Sequence, residues 1–180
     1  NLYMKYLGEM EQYPNIDKNR MGLQGQSWGG YQTAMLITQS NRFKAAMAGA
    51  PVSNMFSAFG GIRWGTGMSR MGQYEKGQSR IGKTIWEAPE LYVENSPLFH
   101  IPKIKTPLLI MANDQDGAVP WYQGIEMFMG MNHMKKPVWI EPEAFRPYSY
   151  IMDHIAKKNH KCRNCSSEIT AGDLYYERKI

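Results

Sequence analysis

Outside residues 53–95, apolar residues recur at two alternating spacings along the first 140 residues of the chain. Short runs of strand length alternate with segments in which apolar residues recur every three or four positions, as in an amphipathic helix. The first segment, for example, places Leu2, Tyr6 and Met10 on one helical face. The predicted elements are, in order, a helix over residues 1–14, strands over 20–24 and 44–52 separated by a helix over 29–40, and strands over 107–113 and 136–140 separated by a helix over 121–131. This β-α-β order predicts an α/β fold, a mostly parallel sheet with flanking helices.

Residues 53–95 lack clean periodicity and are rich in Gly, Met, Arg and aromatic residues. In α/β folds such excursions lie over the carboxyl ends of the strands and help to form substrate pockets. We therefore expect Trp64, Met68 and Tyr74 to line a substrate-binding wall, with Met71 as a further apolar candidate. Ordinary packing of the excursion explains the same residues equally well, so both interpretations stay open.

The turn between the first predicted strand and its helix carries the candidate nucleophile. Residues 25–30 read GQSWGG and fit the G-x-S-x-G pattern, in which a serine sits on a sharp strand-to-helix turn. Ser27 is then the nucleophile, and the backbone N–H of Trp28 is an oxyanion donor. We expect glycine at Gly25 and Gly29 because a Cβ there would collide with the neighbouring strand and helix. The alternative is a glycine-rich turn in which Ser27 only caps the helix.

Taken together with further segments, this turn resembles the prolyl oligopeptidase family of serine peptidases (family S9), especially its acylaminoacyl-peptidase and dipeptidyl-peptidase-like members. The matching segments are residues 25–31, 48–52, 96–100, 107–111 and 116–120. The resemblance implies a partial α/β-hydrolase fold over residues 1–145 and a divergent, cysteine-containing tail over 146–180. It also implies a peptide substrate, and full-length relatives in which more of the hydrolase domain and a β-propeller precede this part.

The acid of the expected catalytic triad follows the strand over 107–113. A serine hydroxyl needs a general base, usually a histidine that a carboxylate orients, and in α/β-hydrolases the chain order is Ser, acid, His. Asp114 and Asp116 both lie after the strand. The resemblance of residues 116–120 to the family's D-x-x-V-P pattern selects Asp116, and Asp114 is then a turn residue or a helper.

The histidine is the member of the triad that the sequence does not place. Residues 140–150, where the resemblance implies a histidine loop, contain none. His100 precedes the acid, so we interpret it as structural, and His133 falls at the end of a predicted helix. His154 follows the acid and is the candidate base. The other interpretation is that the chain lacks a catalytic histidine.

The tail carries a candidate metal site. Cys162 and Cys165 form a C-x-x-C pair, which can present two thiolates to a zinc ion. A structural zinc needs four ligands, and His160 with His154 could supply the other two, although their spacing is irregular. A surface pair without metal is an equal alternative. If His154 binds metal, it cannot also be the base.

Composition and charge narrow the classes of partner. The chain has 180 residues with 43% hydrophobic content, which suits one globular domain with a sizeable core. Its net charge of +5 is spread thinly without a block of basic residues, so we expect no nucleic-acid partner. We interpret the chain as a fragment. No apolar run is long enough to span a membrane, so we expect a soluble protein without a membrane partner, and the cysteine pair mildly favours the cytoplasm.

Two hypotheses of function follow. In the first, the chain is a serine-type peptidase that hydrolyses peptide bonds through an acyl-enzyme on Ser27, and catalysis needs no cofactor. In the second, it is a catalytically inactive hydrolase fragment without a triad histidine, whose tail serves metal binding or interaction.

Overall fold

A computed structural model of the chain describes residues 2–143, 160–161 and 168–169. The helices are α1 (Leu2–Met10), α2 (Trp28–Gln39), α3 (Met55–Phe59), α4 (Met71–Glu75), α5 (Pro89–Glu94) and α6 (Tyr122–His133), and Pro97–Lys103 is a 3-10 helix. The strands are β1 (Gly22–Gln26), β2 (Ala45–Gly49), β3 (Ile62–Arg63), β4 (Met68–Ser69), β5 (Leu108–Asn113), β6 (Val138–Glu143), β7 (His160–Lys161) and β8 (Glu168–Ile169). None of the helices in these residues is long and apolar enough to cross a bilayer.

Four strands form the main sheet, in the order β1-β2-β5-β6, and all three pairings are parallel. The predicted β-α-β order is therefore confirmed: α2 connects β1 to β2, and α6 connects β5 to β6. Parallel neighbours need such crossover connections because the chain must return to the same end of the sheet. All four strands consequently end at one edge, where the connecting loops meet.

One face of the sheet carries the main core. Alternate residues of β5, namely Leu108, Ile110 and Ala112, are buried, and α2, α6 and the 3-10 helix pack around them. The other face is more open in the part of the chain that the structure describes. Gln24 and Gln26 of β1 are exposed there, and 57% of Trp139 is accessible. The two faces differ because side chains alternate along each strand.

A second core forms over the carboxyl edge of the sheet. Residues 53–95 fold into short helices and the β3-β4 hairpin. This core brings together residues from the excursion, from the start of α2 and from the loops that follow β2 and β5. Its members include Val52, Met55, Ala58, Phe59, Tyr74, Tyr92 and Val119, with Trp28, Tyr31 and Ala50 packed against them. The excursion therefore lies over the strand ends, as expected.

The chain divides into two compact units, residues 1–143 and 144–180. The sheet, the helices and both cores belong to the first unit. In the second unit the described residues are β7 and β8, which pair antiparallel with His160 opposite Ile169.

Candidate active site

The turn after β1 holds Ser27 in a conformation that few residues adopt. Its φ of 58° and ψ of −120° lie in a region that is sparsely populated for residues other than glycine. The backbone N–H of Ser27 donates to the carbonyl oxygen of Gly49 at 2.8 Å, which ties the turn to the end of β2. The Ser27 side chain makes no capping hydrogen bond to α2. The turn therefore presents a half-buried hydroxyl at the strand edge and does not use it as a helix cap.

Gly25 and Gly30 allow the close packing of this turn, whereas we predicted this role for Gly25 and Gly29. A Cβ on Gly25 would strike the backbone of Gly29, and would lie 2.9 Å from the Thr33 hydroxyl oxygen. A Cβ on Gly30 would strike the carbonyl group of Gly49. A Cβ on Gly29 would meet nothing within 4 Å, so the predicted collision there was wrong. The reason is helical geometry: consecutive residues point about 100° apart around the axis, and only Gly30 faces β2.

The amino-terminal end of α2 begins directly after Ser27. The first N–H groups of a helix have no partner within the helix, and together they carry a partial positive charge. Trp28 contributes the first of these groups. Its ring packs against Tyr31 with centroids 4.5 Å apart, and burial raises the pKa of Tyr31 to about 12. A backbone donor in this position suits an oxyanion that forms beside Ser27.

The loop after β5 carries the two candidate acids in different environments. One oxygen of Asp116 accepts backbone N–H groups from Ala118 at 2.8 Å and Val119 at 3.0 Å. These bonds fix the carboxylate within the loop. One oxygen of Asp114 is buried and has no hydrogen-bond partner among the described residues. Asp116 lines a cavity at the strand edge, and Asp114 does not.

That cavity, of about 220 Å³, joins the strand before Ser27 to the acid loop. Its lining comes from the ends of three neighbouring strands and from the loops that follow them. The residues are Gln26, Met47, Gly49, Ala50, Met111, Ala112, Asn113 and Asp116. Ala50 has a positive φ of 42°, and its N–H donates to the Met111 carbonyl at 2.7 Å. In parallel α/β sheets this edge is the usual place for a ligand.

A buried glutamine ties α6 to the chain that follows β2, and it was not predicted from the sequence. The Gln123 side chain is fully buried, and its oxygen accepts N–H groups from Ser53 at 3.0 Å and Asn54 at 2.9 Å. Its amide nitrogen donates to the Ser57 hydroxyl at 2.7 Å. These bonds join α6, which follows the acid loop, to the chain after β2. A signal was present: Gln123 is the polar member of a buried stripe with Met127 and Met131.

The three residues predicted for a substrate wall occupy two different environments. Trp64 and Met68 lie on the β3-β4 hairpin and are 72% and 62% exposed. Tyr74 is fully buried in the second core, where its hydroxyl accepts a hydrogen bond from the Arg70 guanidinium at 3.1 Å. Burial raises the pKa of Tyr74. None of the three lines the cavity, and the burial of Tyr74 favours the packing interpretation of that residue.

The histidines and cysteines are only partly within the described residues. One ring nitrogen of His100 lies 2.9 Å from the Glu94 carbonyl oxygen, and His133 is the exposed last residue of α6. His154, Cys162 and Cys165 lie outside the described residues, and of His160 only the backbone is described. Among the described residues, no group of three or more His, Cys, Asp or Glu side chains is arranged to hold a metal ion.

Comparisons with known proteins agree with this geometry. The sequence model of the prolyl oligopeptidase family matches residues 3–145. The uncharacterized peptidase YuxL of Bacillus subtilis (strain 168) is 32% identical over 123 residues, which are 68% of this chain and 18% of that protein. The acylamino-acid-releasing enzyme of Rattus norvegicus is 30% identical over 131 residues, 71% of this chain and 17% of the enzyme. The chain thus spans less than a fifth of the length of these two relatives.

A solved structure supports the same fold. The Pyrococcus horikoshii acylaminoacyl peptidase (uncomplexed) superposes with a TM-score of 0.62 and 26% identity. The match covers 76% of this chain and 21% of that structure. With the parallel sheet and flanking helices, this likeness confirms the predicted partial α/β-hydrolase fold.

Proposed function

Because this chain belongs to the prolyl oligopeptidase family, we propose that it forms the nucleophile and acid part of a serine peptidase site. In this proposal Ser27 attacks the carbonyl carbon of a peptide bond and forms an acyl-enzyme, which water then hydrolyses. The conformation of Ser27 is the observation that carries the proposal. A positive φ on a non-glycine residue is strained, and such strain concentrates at functional sites.

The surroundings of Ser27 supply two further parts of the proposed mechanism. As the carbonyl oxygen becomes an oxyanion, it accepts the Trp28 N–H at the amino-terminal end of α2. Asp116 orients the general base and stabilises its protonated form. Two backbone N–H groups already hold the Asp116 carboxylate in place, so it is preorganised for that role.

We propose His154 as the base, since it follows Ser27 and Asp116 in the required chain order. The base would take the Ser27 proton as the acyl bond forms and return it to the leaving amine. Because relatives are named acylamino-acid-releasing enzyme, N-acetylated amino-acid nitroanilides are suitable first substrates. The zinc ion predicted at Cys162 and Cys165 has no part in this mechanism and is tested separately, by metal analysis of the purified chain.

Covalent labelling tests the proposal directly. A fluorophosphonate probe should label the chain at Ser27, identified by mass spectrometry, and Ser27→Ala should abolish labelling. Ser40→Ala is the matched control, because it removes a half-buried hydroxyl at the far end of α2. If the folded wild-type chain takes no label at Ser27, or Ser40→Ala loses the label as well, the nucleophile assignment is wrong.

A second candidate function rests on the absence of histidine from residues 140–150. In this alternative the chain is an inactive hydrolase fragment, because a triad without its base loses on the order of 10⁶ in kcat. Hydrolysis of an acetylated nitroanilide that disappears in both Ser27→Ala and His154→Ala would exclude it. Labelling of Ser27 without turnover by the wild-type chain would favour it.

A further inference from the structure

Among the described residues, Arg70 is the one buried side chain that carries a charge, and no acidic side chain pairs with it there. It is 2% exposed, and its Nε and Nη1 atoms have no hydrogen-bond partner in that part of the chain. A guanidinium group is not deprotonated in proteins, so it cannot become neutral to avoid the cost of burial. A charge that is buried without an anion is costly. We propose that Arg70 binds a carboxylate group of a peptide ligand.

The donors around Arg70 suit a carboxylate. The planar set of guanidinium N–H groups matches the two oxygens of a carboxylate, and such charge-assisted hydrogen bonds are strong. The Tyr74 hydroxyl accepts a hydrogen bond from Nη2 at 3.1 Å, which leaves its own proton as a further donor. The Tyr122 hydroxyl lies nearby, because a Cβ on Gly61 would be 3.4 Å from Arg70 Cδ and 3.7 Å from that hydroxyl oxygen.

The neighbouring charges leave the positive charge of Arg70 uncompensated. Burial raises the pKa of Tyr74, and the charges of Arg70 and Arg63 oppose that rise, so a second guanidinium is within electrostatic range. Burial and the charge of Glu126 raise the pKa of Tyr122. The two carboxylate oxygens of Glu126, however, already accept hydrogen bonds of 2.6 and 2.9 Å from the amino-terminal part of α3.

The hairpin that precedes Arg70 provides a route for the ligand. β3 and β4 have two residues each and form a sheet of their own. A two-stranded hairpin is marginally stable by itself, and residues 62 and 64–69 are exposed. The Arg70 N–H donates to the Gly61 carbonyl at 3.1 Å and closes the base of the hairpin. Lifting the hairpin therefore costs little burial and opens a path to the guanidinium.

The location suits a peptide, and in this respect the inference rests on the proposed function. Tyr74 belongs to the second core, over the carboxyl edge of the sheet. The same core includes Val119 of the acid loop, and Trp28 packs against it. A peptide at this edge carries carboxylates on its Asp and Glu side chains and at its carboxy terminus. Either source supplies the chemistry that Arg70 lacks.

NMR of the arginine side chains tests binding without any need for hydrolysis. The α-methylamide of N-acetylglutamic acid carries a side-chain carboxylate, and N-acetylalanine carries a terminal one. The Arg70 Nε–H signal, assigned with Arg70→Met, should shift saturably with at least one of these acids, at about millimolar affinity for so small a ligand. The acid that binds identifies the source of the carboxylate. The α-methylamide of N-acetylglutamine has no carboxylate and should give no shift.

Three variants make the test specific, with binding followed by the rise of Tm that a ligand of the folded state produces. Arg70→Met should lose the response to the acid. Arg70→Lys keeps the charge without the planar donors, so the affinity should fall about tenfold or more. Lys76→Met is the matched control, because it removes a positive charge from an exposed side chain of the same excursion and should bind as the wild type does.

Digestion of a peptide mixture connects the site with the proposed function. Products identified by mass spectrometry should show an acidic residue, or the carboxy terminus, at one fixed distance from the cleaved bond. Arg70→Met should reduce this preference about tenfold, and Lys76→Met should keep it. A cleavage pattern that is the same in the wild type and in Arg70→Met would overturn the assignment of a peptide carboxylate to Arg70.

The outcomes separate this inference from the proposed function. Arg70-dependent binding of an acid by a chain that takes no fluorophosphonate label at Ser27 would support the carboxylate site and count against the nucleophile. Labelling of Ser27 without Arg70-dependent binding would overturn the carboxylate site and leave the nucleophile in place. Equal binding of the neutral amide, or an equal loss in Lys76→Met, would also overturn the site.

Discussion

The contacts of α2 with β1 and β2 lead to a specific prediction about three glycines, Gly25, Gly29 and Gly30. We expect Gly30→Ala to destabilise the chain, because its Cβ would strike the Gly49 carbonyl group. Gly29→Ala is the control: it adds the same methyl group one residue earlier, where no atom lies within 4 Å. Gly25→Ala should behave like Gly30→Ala, because its Cβ would strike the Gly29 backbone. The motif pattern alone makes the opposite prediction for Gly29 and says nothing of Gly30.

The magnitude follows from what has to move. The atoms in the way belong to backbone, which cannot rotate aside as a side chain can, so α2 must shift away from the sheet. Overpacking of this kind costs about 1–3 kcal/mol. For a chain of 180 residues each kcal/mol lowers Tm by about 2–4 °C, so Gly30→Ala should lower Tm by about 2–12 °C. Gly29→Ala should leave Tm unchanged or raise it slightly, because alanine exceeds glycine in helix propensity by up to about 1 kcal/mol.

Thermal unfolding followed by circular dichroism measures the stability difference, and fluorophosphonate labelling measures its effect on the site. A displacement of about 1 Å at a reacting group can cost about 10² in rate, so Gly30→Ala should also label slowly at a temperature where it is folded. Equal losses of Tm in Gly29→Ala and Gly30→Ala would refute the reasoning. So would a Gly30→Ala variant as stable as the wild type.

Three further predictions concern buried polar groups. Gln123→Leu should lower the free energy of unfolding in urea, because the buried N–H groups of Ser53 and Asn54 lose their acceptor at about 1–3 kcal/mol each; an unchanged midpoint would contradict this. Burial disfavours the ionised Tyr31 hydroxyl and raises its pKa from 10.0 to about 12, so the folded chain keeps this proton where the unfolded chain loses it, and stability should fall as pH rises from 10 to 12. In urea unfolding measured at several pH values, Tyr31→Phe should reduce the loss of stability between pH 10 and 12. A pH dependence identical to that of the wild type would refute the assignment to Tyr31. Arg70 is 2% exposed, and among the described residues two of its guanidinium nitrogens have no partner while the third donates to the Tyr74 hydroxyl; burying an unpaired charge is costly, so Arg70→Met should keep or raise stability in urea unfolding, and a large loss would contradict this.

The order of elements could be predicted from the sequence because it depends on local periodicity. Apolar runs before and after each helical segment indicated the parallel sheet, and the lack of periodicity in 53–95 indicated the excursion. Element boundaries were less accurate. The first strand was predicted over 20–24 and is Gly22–Gln26. The predicted strand ended too early because Gly25 was taken as part of the turn. Tertiary pairing with β2, which runs through Gln26, decides that boundary.

Contacts between distant segments could not be predicted in this way. Gln123 and Ser53 are joined by hydrogen bonds across 70 residues, and nothing local in either segment indicates the partner. The two adjacent glycines after Ser27 look equivalent in the sequence. They differ only in the folded chain, where Gly30 faces β2 and Gly29 does not. The candidate site thus combines a motif that can be recognised in the sequence with supporting contacts that arise only when distant segments pack together.

The backbone contact between α2 and β2 also determines which substitutions the Ser27 turn can tolerate during evolution. Because Gly30 lies directly against Gly49, the height of the serine above the sheet is set by main-chain atoms, which are common to every sequence. Leu36 and Ile37, further along the helix, can then change in size while the turn that carries Ser27 keeps its position. Because this contact is made by main-chain atoms, the apolar side chains of the core can vary without moving the Ser27 hydroxyl, provided that Gly30 is retained.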